Sequence, residues 1–390
     1  MRENWEYKTF GEIGTFLRGK NIQKADFVSG GLPCIHYGQI HTKFDISIDY
    51  HLSEIPQEVY DKAIIASPGD VIIAITSEDI DGSCKSVVWL GNYDIAVSAH
   101  AAILKHNMNG KFIAYYLRSN TFFTQKLKYA RGFKVMEIKT KDLAKLVLPI
   151  PPKPTQLSIV SELDKINELI QIKKEQLKDY DALAQSIFYE MFGDPVENEK
   201  GWEVKKFGEI GTLERGAGIS KKDFVDDGLP CIHYGQLHTT FGAYTRKNIT
   251  FIPKDLLPKY KIAHSGDLIL AITSEDVEGS CKSTAWLGDY DVVVGSDAAI
   301  FHHNQNGIYL SYYTRTKAFY NEKAKYAKGF KVTHISTKEI ASISICVPPL
   351  SIQNIFANKI EQIEKQKAII QNIIMDLETL LASRMQYWFD

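Results

Sequence analysis

Gly31-Leu-Pro-Cys-Ile-His-Tyr-Gly-Gln39 is repeated letter for letter from Gly228 to Gln236. Outward from this stretch, each residue keeps pairing with the one 197 positions further on, without a gap, through almost the whole chain. Phe10 to Thr15 returns as Phe207 to Thr212, Thr76 to Asp79 as Thr273 to Asp276, Gly82 to Ser86 as Gly279 to Ser283, and Gly132 to Val135 as Gly329 to Val332. The 390-residue chain is therefore a duplication, 1–197 followed by 198–390. Solenoid repeats have periods of roughly 20–50 residues, so each copy here is a domain rather than a stacking unit. Two like domains in one chain predict an approximate two-fold arrangement.

Each copy reads in two parts. Turns at Pro68-Gly-Asp70 and Ser265-Gly-Asp267 open apolar runs of strand length, Val71–Ile75 and Leu268–Ile272. Lys111–Ala130 and Ile308–Ala327 read as aromatic-rich helices. Proline clusters at 149–154 and 348–349 then close the mixed part and leave Thr155 or Ser351 as plausible N-caps. Beyond them the apolar period changes to alternating steps of four and three. One seam runs Ile159, Leu163, Ile166, Ile170, Lys173, Leu177, Tyr180, Ala184, Ile187, Met191; the other runs from Phe356 to Trp388 through Lys367 and Arg384. Gly193-Asp-Pro195 stops the first helix. The fold expected is α+β: globular lobes at 1–152 and 194–349, and long helices at 153–193 and 350–390 pairing as an antiparallel coiled coil, with a pseudo-two-fold. The plainer alternative is that each helix packs on its own lobe.

Hydrophobic content of 44% is that of an ordinary globular protein. Apolar runs such as Val71–Ile75 are too short for a bilayer, and Met1-Arg-Glu-Asn-Trp5 does not read as a signal peptide, so the cytoplasm is the expected compartment. Five cysteines with no Cys-x-x-Cys argue against a disulfide framework and a zinc site. Net charge is −1, so any nucleic-acid binding must come from local clusters.

Catalytic signatures are not found. Gly14 to Lys20 resembles a phosphate loop, but Asn21 stands where a Ser/Thr would hold magnesium, and the second copy loses the lysine at Ala217. Acidic loops, Glu78, Asp79 and Asp81 with Glu275, Asp276 and Glu278, lie beside Lys85 and Lys282. They read as solvated turns, as carboxylates accepting from cytosine, or as a metal site. The strongest charge cluster precedes the proline knot. Lys126, Lys128, Arg131, Lys134, Lys139, Lys141 and Lys145 outweigh Glu137 and Asp142; Lys323, Lys325, Lys328, Lys331 and Lys338 outweigh Glu339. Among these, Lys128, Arg131 and Lys134, with Lys325, Lys328 and Lys331, are candidate phosphate contacts. His36, Tyr37, Gln39, His41 and Thr42, with His233, Tyr234, Gln236, His238 and Thr239, concentrate groups able to meet base edges or to satisfy the interior. Arg18, Lys20, Lys24 and Lys85, with Arg215, Lys221 and Lys282, complete the candidate contacts.

The opening Trp5…Phe10-Gly-Glu…Arg18-Gly19 and the closing Gly132…Ile138…Lys141-Asp-Leu…Leu148-Pro-Ile-Pro-Pro…Gln156, followed by a long helix and all repeated, resemble the specificity subunits of Type I restriction-modification systems. The second copy keeps Val347-Pro-Pro-Leu350…Gln353 with fewer basic residues. The resemblance implies two target-recognition domains, each reading half of a split site on double-stranded DNA. It implies spacer helices that dock two methyltransferase subunits using S-adenosylmethionine, and a restriction subunit driven by ATP and Mg. This chain would be non-catalytic and carry no cofactor. Two lobes so alike imply a nearly palindromic site, with departures traced to Lys20 against Ala217, Gln23 against Ser220, Lys43 against Thr240, and His100 against Asp297. The rival readings are a scaffold with two binding lobes on a coiled coil and a metal-dependent nuclease.

Overall fold

The computed structural model describes residues 5–132, 135–219, 221–254, 260–327 and 332–390. It divides into two compact units, 1–174 with 372–390, and 175–371. Each unit holds one globular lobe, the first half of one long helix and the second half of the other.

In the first unit a five-stranded sheet runs in the order Gly14–Arg18, Ala101–His106, Val71–Ala74, Ser86–Trp89, Ser47–Ile48. A four-stranded sheet runs Ser53–Ile55, Leu32–Ile35, Ile95–Val97, Ile64–Ala66. Val71–Ala74 is apolar at every position because both faces of its sheet are covered. Val71 and Ile73 point into a core shared with Phe112, Tyr115, Tyr116 and Phe122 on helices. Ile72 and Ala74 point the other way, into a core with Ile35, Trp89, Ile95 and Val97 between the two sheets. The second unit repeats this layering, with Leu268 and Leu270 toward Tyr309 and Phe319, and Ile269 and Ala271 toward Trp286 and Val292.

Three local expectations are corrected. Lys111–Ala130 is two helices, Gly110–Tyr116 and Asn120–Lys126, because the Ser119 hydroxyl caps the second by accepting from Phe122 N. Thr316 divides Gly307–Tyr313 from Lys317–Ala324 in the same way. Neither Thr155 nor Ser351 caps a long helix, since these begin at Lys153 and Leu350. Instead Gln156 and Gln353, both buried, donate side-chain amides back to the carbonyls of Pro151 and Pro348 at 2.9 and 2.8 Å. That explains why a glutamine follows each proline cluster.

The helices run Lys153–Phe192 and Leu350–Phe389. Gly193 ends the first at φ 74°, a left-handed turn that costs glycine little. Within the first unit Glu162 meets Arg384 and accepts from Trp388 Nε1 at 3.0 Å, while Lys174 meets Glu378 at 2.8 Å. Within the second, Lys367 meets Asp181 at 2.7 Å and Phe188 packs on Phe356. Early residues of one helix thus face late residues of the other in both units, so the pairing is antiparallel. The charged seam positions Lys367 and Arg384 have carboxylate partners, which removes the cost of an unpaired half-buried cation. The seam also enters the lobes: Ile159 and Leu163 belong to the first lobe's core and Ala184 to the second's, where the expected Ile187 and Met191 are only partly buried and Phe188 and Phe192, one position further on, fill the core instead.

One core histidine per lobe gives the fold a pH dependence. Burial pushes the His303 imidazole down to about 4, and burial likewise lowers His106. A depressed histidine is protonated first in the unfolded chain, near its ordinary value of about 6.5. The stability it contributes is therefore complete above that pH and is lost as pH falls toward about 4, by no more than roughly 3 kcal/mol. Denaturant melts of the wild type and His303→Leu between pH 7 and 4 are expected to show the variant losing less stability over that range.

Candidate nucleic-acid interface

Arg18 ends the first strand of the five-stranded sheet, and Gly19 lets the chain pass against the next turn: a Cβ there would stand 2.2 Å from Ser98 O. Lys20 then bridges to Ser98. Ser98 Oγ accepts from Tyr37 N at 2.9 Å, and the Tyr37 ring lies 5.0 Å from that of His100 and 6.3 Å from that of His41. His41 Nε2 lies 3.0 Å from Thr76 O, and Thr76–Ser77 pairs with Met136–Glu137. Glu137 exchanges backbone hydrogen bonds with Arg131, and its carboxylate lies 3.1 Å from Arg18 Nη2. Five segments distant in sequence thus bring Arg18, Lys20, Tyr37, His41, His100 and Arg131 to one face of the lobe.

The remaining candidates are placed differently. His36 is the N-cap of the short helix Tyr37–Thr42: its Nδ1 accepts from Gly38 N at 3.2 Å, while Gln39 Oε1 accepts from His36 N at 2.9 Å. This is a capping box with histidine in the Ser/Thr place. Burial lowers the His36 pKa, in keeping with a neutral acceptor ring. Gln39 Nε2 donates to Ser53 and Thr42 Oγ1 to Gly38 O. Lys85 donates to His41 O at 2.7 Å, holding the carbonyl end of the same helix. Lys24 and Lys128 are exposed; Lys134, Lys328 and Lys331 lie outside the described residues.

The second lobe rebuilds the face. His233 and Gln236 form the same capping box, and Thr239 Oγ1 donates to Gly235 O. His238 Nε2 lies 3.1 Å from Thr273 O, Lys282 donates to His238 O at 2.7 Å, and the Tyr234 and His238 rings lie 6.1 Å apart. Arg215 meets Asp297 at 3.5 Å. Lys221 and Lys325 are exposed, the latter beside Glu322.

Two features of the sequence find local explanations. Gly14–Arg18 is a strand paired along Ala102–His106, so the glycine run resembling a phosphate loop is extended backbone. In the acidic loops Asp79 and Asp276 accept from Gly82 N and Gly279 N, each at 2.7 Å, as turn caps. Among the described residues no group of three or more His, Cys, Asp or Glu side chains could hold a metal. Lys126 and Lys323 leave the surface charge cluster, since both are buried. Lys126 donates to Asp81 O and Ser83 O at 3.2 and 2.6 Å, and Lys323 to Glu278 O and Ser280 O at 2.9 and 2.5 Å. Lys126→Met strands those carbonyls and is expected to cost about 1–3 kcal/mol in a thermal or denaturant melt.

The family model described as the Type I restriction modification DNA specificity domain matches residues 2–179 and again 199–379. The chain belongs to that family. It is 22% identical, over 96% of its length and 92% of the relative's, to the Type I restriction enzyme MjaVIII specificity subunit of Methanocaldococcus jannaschii. The EcoKI specificity subunit of Escherichia coli is 22% identical over 45% of this chain and 39% of that one. A chain solved in work on complex assembly and conformational transition of the type I R-M system shares the fold. Its TM-score is 0.56 and its identity 18%, over 99% of this chain and 97% of that one. The S subunit from M. genitalium matches at TM-score 0.54 and 12% identity, over 99% and 96%. Among the described residues no helix is long and apolar enough to cross a membrane.

Proposed function

We propose that the chain reads double-stranded DNA sequence for a Type I restriction-modification complex, each lobe taking one half of a bipartite, near-palindromic site. The observation that carries this reading is the face assembled twice, with an arginine, a tyrosine and histidines brought together by short strand pairs. Arginine forks and histidine rings are suited to base edges in the major groove, and exposed Lys24, Lys128 and Arg131 to phosphates. The chain itself is non-catalytic and holds no cofactor. S-adenosylmethionine chemistry belongs to a pair of partner methyltransferase subunits, and ATP-driven cleavage to restriction subunits reached through them. The helices are the docking surface for the methyltransferases: Leu169, Ile172, Ile369 and Met375 are exposed apolar side chains on them. Such a complex works in the cytoplasm.

The test is selection of duplexes from a random-sequence pool by the intact chain at several salt concentrations. Two short words at a fixed gap, with affinity falling steeply as salt rises, are the expected result. A pool left unenriched, or binding indifferent to salt, overturns the reading in favour of a protein-binding scaffold. Cleavage by the chain alone would favour a nuclease.

A further inference from the structure

The two faces differ by an exchange of places. In the first lobe the acid is Glu137, on the short strand Met136–Glu137, and it holds Arg18 at 3.1 Å. The histidine is His100, at a left-handed corner with φ 70°, its ring against Tyr37. In the second lobe the left-handed corner carries the acid, Asp297 at φ 66°, and the strand position carries the histidine, His334. Arginine follows the acid: Arg215 lies 3.5 Å from Asp297 Oδ1. Thr273 Oγ1 ties the new pair together, donating to Asp297 Oδ1 at 3.1 Å and lying 3.2 Å from His334 Nδ1. Thus both lobes carry one arginine, one carboxylate and one histidine at matching backbone positions, with the last two transposed.

The ion pairs are too exposed to serve stability. Arg18 and Glu137 side chains are 53% and 33% exposed, Arg215 and Asp297 56% and 38%. Pairs of that kind are worth about 0–1 kcal/mol. Their consequence is orientation. A carboxylate that takes one edge of a guanidinium fixes where the remaining N–H donors point. In one lobe the arginine is tethered to the strand side, in the other to the corner side, and the histidine occupies whichever place is left. A guanidinium donates to guanine O6 and N7, a carboxylate accepts from the cytosine amine, and an imidazole can do either, so moving them changes the base pair favoured beneath them.

We propose that this transposed pair, His100 with Glu137 and Asp297 with His334, sets the base pairs at which the two half-sites differ. The rest of the face, Tyr37 and Tyr234 with His41 and His238, reads what they share, while Arg18 and Arg215 follow the carboxylate that holds each of them. The proposal rests on the DNA-reading function above.

Its test is the double exchange His100→Asp with Glu137→His in the intact chain, against a random-sequence duplex pool, beside each single variant. The wild type selects two words that differ at one or two base pairs. The double variant is expected to convert the first lobe's word to the second's at those pairs, leaving the other word unchanged. Glu137→His alone should lose about tenfold in affinity for the wild-type duplex, and the double variant should bind the converted duplex within about threefold of wild type. The mirror exchange, Asp297→His with His334→Glu, should convert the other word, and covers the case in which the first variant does not fold. Retention of both wild-type words by folded double variants overturns the proposal while leaving DNA reading intact. A perfectly palindromic wild-type site overturns it equally. Failure of the wild type to enrich any sequence overturns both.

Discussion

Residues 1–197 alone are expected to form a dimer that persists at tens of micromolar. In the first unit the rings of Phe112 and Tyr116 pack on Phe389 at 5.5 and 5.7 Å. In the second unit their counterparts Tyr309 and Tyr313 pack on Phe192 and Phe188, at 4.8 and 6.5 Å. Phe192 stands at the position corresponding to Phe389, so a half-length chain carries both the aromatic plug and the socket it fits. The two cannot meet within one copy if the helix runs straight away from its own lobe, as the antiparallel pairing requires. A second copy supplies the missing half by swapping helix ends. Losing a large aromatic from such a core costs about 3–5 kcal/mol, so Phe192→Ala in the half-length chain should shift it to monomer. Sedimentation equilibrium checks both results. A stable, well-folded monomer of the unaltered half overturns the equivalence of the two units.

The second large effect concerns charge. Replacing Lys128, Arg131 and Lys134 together by glutamine is expected to weaken DNA binding on the order of a hundredfold in dilute salt, for all sequences alike. The slope of log affinity against log salt should fall by about three, roughly one for each lost phosphate contact. Titrations of matched and mismatched duplexes at several salt concentrations measure this. A changed preference at one base pair with an unchanged slope would reassign these residues from phosphates to bases. The contrast with Glu137→His is diagnostic, because that exchange should alter preference and leave the slope nearly unchanged.

The duplication, the central strands and the long helices were legible because each leaves a trace: the repeat itself, the apolar runs Val71–Ile75 and Leu268–Ile272 after their turns, and the four-three spacing from Ile159 to Met191. What the spacing could not show is where the seam's partner changes from helix to lobe, since Ile159 and Ile170 are equally apolar. His36 and Gln39 illustrate a different limit. Their spacing is that of a capping box, but histidine is an unusual cap, and the polar cluster reads just as naturally as a base-reading motif. The relation of Arg18 to Glu137 was not legible at all. It depends on a two-residue strand pair, Thr76–Ser77 with Met136–Glu137, too short to leave a pattern. Comparing the copies flags position 100, His100 against Asp297, and only the structure shows that position 137 belongs to the same cluster.

The division of the helices between units has a consequence for biosynthesis. Unit 175–371 is continuous in sequence, whereas its sibling must recruit residues 372–390 to complete its core. A ribosome adding about 5–20 residues per second needs roughly 10–40 s to travel from residue 174 to residue 372. Throughout that interval the lobe translated first carries an open aromatic socket. The lobe translated second is thus able to mature earlier, and a nonsense codon after residue 371 would damage the N-terminal lobe while sparing its neighbour. Nascent chains of the first lobe wait exposed, and on adjacent ribosomes of one message they are the natural partners for mistaken exchange.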